Sequence, residues 1–204
     1  MSSMMDAGRD INQRIAGQVR RLRLAADLSL DALAAKTGVS RSMLSLIERA
    51  ESSPTAVILE RLAVGLNVTM ATLFQANAED DAPFDPIQRR DGQPVWRDPE
   101  TGYVRRNLSP PHVPQPLQLV EIEFPPNTRV VFESHGRDVV IHHQFVVLQG
   151  SIDITYESQC HRLKVGDCLA IKFEGTNVFE NTTSEPARYM VASVTEVTSK
   201  RKTP

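Results

Sequence analysis

Arg41, Ser42 and Ser45 lie close together in a segment whose Leu44 and Ile47 recur at a three-residue step. If that segment is helical, the two apolar residues face inward. The opposite face then presents a guanidinium and two hydroxyls, which can bond phosphate oxygens or the edges of bases. A second chemistry-bearing group is His135, His142 and His143. Neutral imidazoles offer lone pairs to zinc or another transition metal, with Asn177, Asp138 or Cys168 as a further ligand. Adjacent residues on a strand point to opposite faces, so His142 and His143 cannot easily serve one ion. That leaves His135 and His143 as the pair able to share a face, and a lone histidine is more often a hydrogen-bonded residue than a ligand. Cys160 and Cys168 could form a redox pair but sit in no setting that would lower a thiol pKa, so they are expected to pack.

The elements that must position the first group can be read locally. Ser29 can cap a helix whose inward face is Leu30, Leu33 and Ala34, and Thr37-Gly38-Val39 makes a turn, with glycine where a positive φ is needed. Ser40 can cap the next helix, which carries Arg41, Ser42 and Ser45. Ala34 is small where the two helices should cross. Ile11 to Ala26 reads as an entry helix with Ile15, Val19 and Leu22 inward and Arg14, Arg20, Arg21 and Arg23 mostly outward. Ser53-Pro54-Thr55 opens a fourth helix, with proline suited to its first turn and Ser or Thr supplying the cap. Its apolar set is Ile58, Leu59, Leu62 and Leu66. Thr69 to Gln75, with Leu73 and Phe74, is expected to be a fifth helix that closes the bundle.

Two short helices joined by a glycine turn, at this spacing and within a bundle, resemble the phage-repressor-like (Xre-type) helix-turn-helix family over about residues 11 to 75. The resemblance implies binding of double-stranded DNA. By matching positions it assigns base contacts to Arg41, Ser42 and Ser45. It assigns phosphate contacts to Ser29, Ser52, Ser53, Thr55, Arg23 and Arg49.

The chain of 204 residues has room for two domains, and its formal net charge of −2 conceals an asymmetry. Residues 1–76 carry nine Lys/Arg against seven Asp/Glu, and the remainder carries fourteen against eighteen. A mildly basic reader joined to an acidic second domain fits that division. Two cysteines do not make a disulfide framework, no run approaches the ~20 apolar residues of a membrane span, and the N-terminus lacks a signal-peptide pattern. The expectation is a soluble cytoplasmic protein with no membrane partner.

After Gln75 the helical pattern stops. Residues 76–86 are acidic and punctuated by Pro83 and Pro86, which reads as a linker. Beyond it come ten short candidate strands: 94–96, 103–107, 117–124, 129–132, 144–148, 151–156, 160–163, 168–171, 177–181 and 187–194. Alternation such as Ser151-Ile152-Asp153-Ile154-Thr155 predicts antiparallel sheet with one buried face, and the frequency of turns predicts a sandwich or barrel with an inner cavity. Trp96 and Tyr103 are expected to pack a strand onto it. Pro110, Pro111, Pro114 and Pro116 are expected to form an extended loop.

The stretch Val146-Val147-Leu148-Gln149-Gly150, then Gly166-Asp167, then Asn181 resembles the two sequence blocks of the cupin family over about residues 117 to 195. The implied fold is a jelly-roll barrel. A metal-binding cupin supplies an H-x-H pair, a glutamate and a third histidine. Here His143 stands where the glutamate would be. The H-x-H positions fall on Gly136 and Asp138 or on Arg137 and Val139, and Asn177 stands at the last histidine. Lys172 and Glu174 replace the proline and glycine of that turn. A resident divalent metal is therefore disfavoured, with His135 and His143 its candidate ligands if one binds.

The full expectation is a multidomain α plus β protein, with a five-helix DNA-binding bundle joined to an antiparallel jelly-roll barrel. Residues 1–10 would be a flexible lead-in, 11–75 the reader, 76–86 the linker, 87–195 an effector and dimerisation domain, and 196–204 a basic tail holding Lys200, Arg201 and Lys202. The function expected is transcriptional regulation by a homodimer on an inverted-repeat operator, with no cofactor and no catalysis. A small-molecule effector would sit in a pocket lined by Arg137, His143, Gln144 and Asn177. The alternatives are a metal-dependent cupin enzyme with a DNA-binding appendage and an antitoxin-like interaction module.

Overall fold

The computed structural model describes residues 2–75, 85–111, 116–136 and 139–196. Most of the expected linker, the tail beyond Glu196, Pro114, Arg137 and Asp138 lie outside the described residues. The helical part is α1 (Ser2–Ala25), α2 (Leu30–Thr37), α3 (Arg41–Glu48) and α4 (Ala56–Gly65), followed by a 3-10 turn at Met70–Phe74. Helix α1 starts well ahead of Ile11, so the lead-in expected to be flexible is helical backbone from Ser2. Met4, Met5 and Ala7 are good helix formers, and no proline interrupts them.

The caps fall at the expected residues. Ser29 accepts from the Ala32 amide and Ser40 from the Met43 amide, while Gly38 takes φ +66° and returns its N–H to the Ala34 carbonyl. Thr55, not Ser53, caps α4, so Pro54 precedes the cap instead of lying in the first turn. A fifth helix does not form. The 3-10 turn is only five residues long, Thr69 caps it from the Thr72 amide, and Gln75 is already extended, so no second α-helical turn is reached. Helices α2 and α4 pack closely at Gly65, where a Cβ would overlap the Thr37 methyl group. Gly65 is thus the small residue that permits α4 to lie close to α2.

Ten strands follow: β1 (Val95–Arg97), β2 (Val104–Asn107), β3 (Leu117–Phe124), β4 (Thr128–Ser134), β5 (Val140–Gln149), β6 (Ser151–Tyr156), β7 (Gln159–Lys164), β8 (Cys168–Lys172), β9 (Gly175–Asn181) and β10 (Ala187–Glu196). Each expected strand is present, most of them longer by one to four residues at an end. They form two antiparallel sheets, ordered β1-β2-β3-β10-β5-β8 and β4-β9-β6-β7. Among the described residues no ladder joins the two sheets, so the expected barrel is an open sandwich closed by side chains. Asn181 pins one end of it. Its amide donates to the Phe124, Pro125 and Glu185 carbonyls, and its own carbonyl accepts from Thr183.

The helical and β parts share a buried core. Trp96, 1% exposed, meets Phe74 and Tyr103 edge-on at centroid distances of 5.8 and 5.6 Å. Asp98 is buried at the N-terminus of α4, where its carboxylate accepts from the Ala56 amide at 3.4 Å and from Thr101. Glu60 of α4, also buried, accepts a hydrogen bond from Ser134 of β4.

Candidate DNA-reading face and effector cavity

Helix α3 buries Leu44 and Ile47 and leaves Arg41 and Ser42 exposed, with Ser45 at the margin. Arg41, Ser42 and Ser45 are held by exchangeable surface contacts. Arg41 lies 3.2 Å from Asp31 of α2, with both side chains largely exposed. Ser42 lies 3.1 Å from Ser40, and Ser45 accepts from Arg49 at 2.8 Å. Arg49 is also paired with Glu51 at 2.8 Å. Such contacts give way readily to a phosphate or a base edge.

The other expected phosphate contacts divide. Ser29 is exposed beside α2, and Ser52, Ser53 and Thr55 line the loop into α4, Ser53 donating to Asn12. Arg23 is directed inward. Its guanidinium bonds both oxygens of Glu48, at 2.6 and 2.8 Å, and the Leu28 carbonyl at 2.8 Å. It ties α1 to the end of α3 and so braces the reading helix.

Inside the sandwich lies a cavity of about 70 Å³. Its walls are mostly apolar or aromatic, with Tyr103, Phe124, Phe132, Phe145, Phe173, Phe179 and Tyr189 among them. Glu60, Thr69, Met70 and Ala71 of the helical part cover one side. Five polar residues other than the tyrosines line it: Glu60, Thr69, Arg105, His143 and Ser193. His143 shares a hydrogen bond with Ser193 at 2.9 Å and meets the edge of Phe173.

Arg105 is 9% exposed, and its guanidinium stands over the Phe74 ring at 5.2 Å, with Nε lacking an acceptor. Burial lowers its pKa from the ordinary value, and Tyr103 and then Glu60 oppose that shift. Burial likewise raises the Tyr103 and Tyr189 hydroxyls.

The pocket expected from the sequence is therefore corrected in part. Gln144 is exposed on the outer face of β5, because alternation turns it away from its neighbour His143. Asn177 is buried but does not reach the cavity, and its amide donates to the Glu174 and Gly175 carbonyls. Arg137 lies outside the described residues. His135 is exposed just beyond β4 and does not line the cavity that His143 reaches. Among the described residues no three His, Cys, Asp or Glu side chains gather where they could hold an ion. Cys160 and Cys168, expected to pack, are both exposed at outward strand positions.

Arg105 and Glu60 escaped the sequence reading. Glu60 did leave a sign, since it falls on the same helical stripe as the buried Ala56, Leu59 and Ala63.

Residues 19–73 match the family model described as Helix-turn-helix. The HTH-type transcriptional regulator SutR of Escherichia coli (strain K12) is 30% identical over 166 residues, which are 80% of this chain and 84% of that protein. The chain belongs to the HTH-type transcriptional regulators. Among solved structures, an HTH_3 family transcriptional regulator from Vibrio cholerae matches this regulator with a TM-score of 0.70 and 26% identity, over 92% of this chain and 98% of its own. A cupin domain from an XRE family regulator of Enterobacter cloacae covers 45% of this chain and 95% of its own length, at 16% identity and a TM-score of 0.40. At that distance the likeness decides nothing about function. No helix among the described residues of the regulator is long and apolar enough to cross a membrane.

Proposed function

We propose that the protein is a cytoplasmic, sequence-specific transcriptional regulator that works as a homodimer. Two reading heads would engage an inverted repeat with half-sites about one helical turn (~34 Å) apart. The observation that carries this reading is α3 itself. Ser40 caps it, Leu44 and Ile47 bury one side, and Arg41, Ser42 and Ser45 stand on the other in contacts that exchange easily. Those three residues read bases. Ser29, Ser52, Ser53, Thr55 and Arg49 take phosphates, while Arg23 acts through Glu48 to hold the helix in place.

Residues 11–75 form the reader, 76–86 the connection, and 87–195 a cupin-type sensor and dimerisation domain. A small molecule in the sandwich cavity shifts the balance between arrangements of differing DNA affinity. The protein performs no catalysis in this role. Sequencing the genomic fragments retained by the purified protein tests the reading. Enrichment of one inverted repeat is expected, and fragments drawn evenly from the genome would defeat it.

A further inference from the structure

Two buried groups of opposite charge line the cavity. Arg105 enters from β2, nine-tenths buried and with Nε lacking an acceptor. Glu60, 2% exposed, enters from α4 of the reading head, and its carboxylate acts on Arg105 electrostatically. Both line one small space whose remaining walls are chiefly apolar and aromatic side chains. Burying one charge of each sign around an apolar space disfavours a ligand of either net charge, because each would meet its own sign in a low dielectric. A molecule carrying both charges with an apolar body can meet both groups.

We propose that the cavity binds a small zwitterion, an apolar α-amino acid. Its carboxylate lies on Arg105, its ammonium on Glu60, and its side chain on the rings of Phe132, Phe145 and Phe179. A guanidinium suits a carboxylate because it offers donors in a planar fork.

The ligand would thereby tie β2 to α4. Helix α4 in turn packs on α2 with no spare room at Gly65 and Thr37. A change in the seat of α4 therefore reaches the pair of helices that reads DNA. This assignment gives the effector of the regulatory reading its chemical class and rests on that reading for its purpose, though not for its measurement.

The test is calorimetric titration of the full-length protein, without DNA, with each apolar α-amino acid of either hand. For the best binder of the series, the amino alcohol that lacks the carboxylate and the acid that lacks the ammonium are titrated next. At least one amino acid should bind, and each analogue should bind at least about tenfold more weakly. Arg105→Gln should bind the amino acid as weakly as the wild type binds the amino alcohol. Glu60→Gln should lose the preference for the ammonium.

Absence of binding across the series overturns the assignment. So does equal affinity for the analogues, or unchanged affinity in a variant that melts like the wild type. If Arg105→Gln does not fold, Arg105→Lys, which keeps the charge, and the wild-type analogue series decide the matter. A protein that retains an operator but binds no amino acid loses this site and keeps the regulatory reading. A protein that binds an amino acid and no operator does the reverse.

Discussion

Two arginines show how differently the two functional regions are built. Arg41 stands in water beside Asp31, with both side chains mostly exposed. Arg105 stands inside the sandwich against Phe74, with a nitrogen that finds no acceptor. The first can change partners at small cost, because water competes for every contact it makes. The second cannot, because every partner it loses must be replaced by another from within. A surface that must slide along DNA and test many sequences is suited to the first kind. A cavity that answers to one class of molecule, as proposed for this one, would call for the second.

The junction between the regions carries the largest expected effect. Trp96→Ala removes a fully buried ring that touches Phe74 on one side and Tyr103 on the other. Denaturant unfolding should show a loss of about 3–5 kcal/mol. If the two regions then unfold at separate midpoints, Trp96 is what makes them one cooperative unit. A loss below about 1 kcal/mol would show that the shared core is not one in energetic terms.

On the reading face, Arg41→Ala should cost about 1–3 kcal/mol on the cognate operator and much less on random DNA, as read by competition binding. Equal losses on both would reduce Arg41 to a phosphate contact and weaken the contrast with Arg105. Asp31→Asn sharpens the same contrast from the other side. It removes the carboxylate that holds Arg41 and that would face the phosphates. Operator affinity should rise roughly twofold to fivefold at low salt, the range expected for an exposed charge pair. Because the effect is screened, it should fade as salt is raised. A decrease instead would mean that Asp31 positions Arg41 for the base.

How far each region could be read in advance follows from the range of the forces that build it. The reading helix is specified locally: Ser40 caps it three residues before the amide it accepts from, and Leu44 and Ile47 set its buried side within one turn. The strands were legible for the same reason, since alternation is a neighbour rule. The cavity was not, because its two charged ends lie on α4 and β2, which only the packing of helix on sheet brings together. Gln144 failed as a pocket residue on the alternation rule itself, since it cannot share a face with His143. The fifth helix failed on length, because Leu73 and Phe74 supply the apolar residues but Met70–Phe74 is too short to complete a second turn. Asn177 reads as a polar group aimed inward, and it is, but nearby carbonyls claim its amide.

The smallest effect belongs to a third arginine, which lies between the other two in character. Arg162 of β7 makes a two-pronged pair with Asp153 of β6, at 2.7 and 2.6 Å. Its own side chain is largely exposed, whereas that of Asp153 is mostly covered. The hydrogen bonds from Arg162 hold the Asp153 carboxyl below its usual range. A carboxylate whose folded pKa is depressed stabilises the fold above the unfolded value of about 3.9. That contribution is lost as pH falls from there through the lower folded value. Asp153→Asn should therefore lower the midpoint of thermal unfolding slightly at pH 7, and the difference from the wild type should shrink to nothing as the solution is acidified below that range. Water screens the arginine end, so the difference should be well below that of Trp96→Ala. A gap that persists undiminished at low pH would mean that Asp153 matters for its shape and its bond to the sheet, not for its charge. The pair would then belong with the packed interior and not with the exchangeable surface.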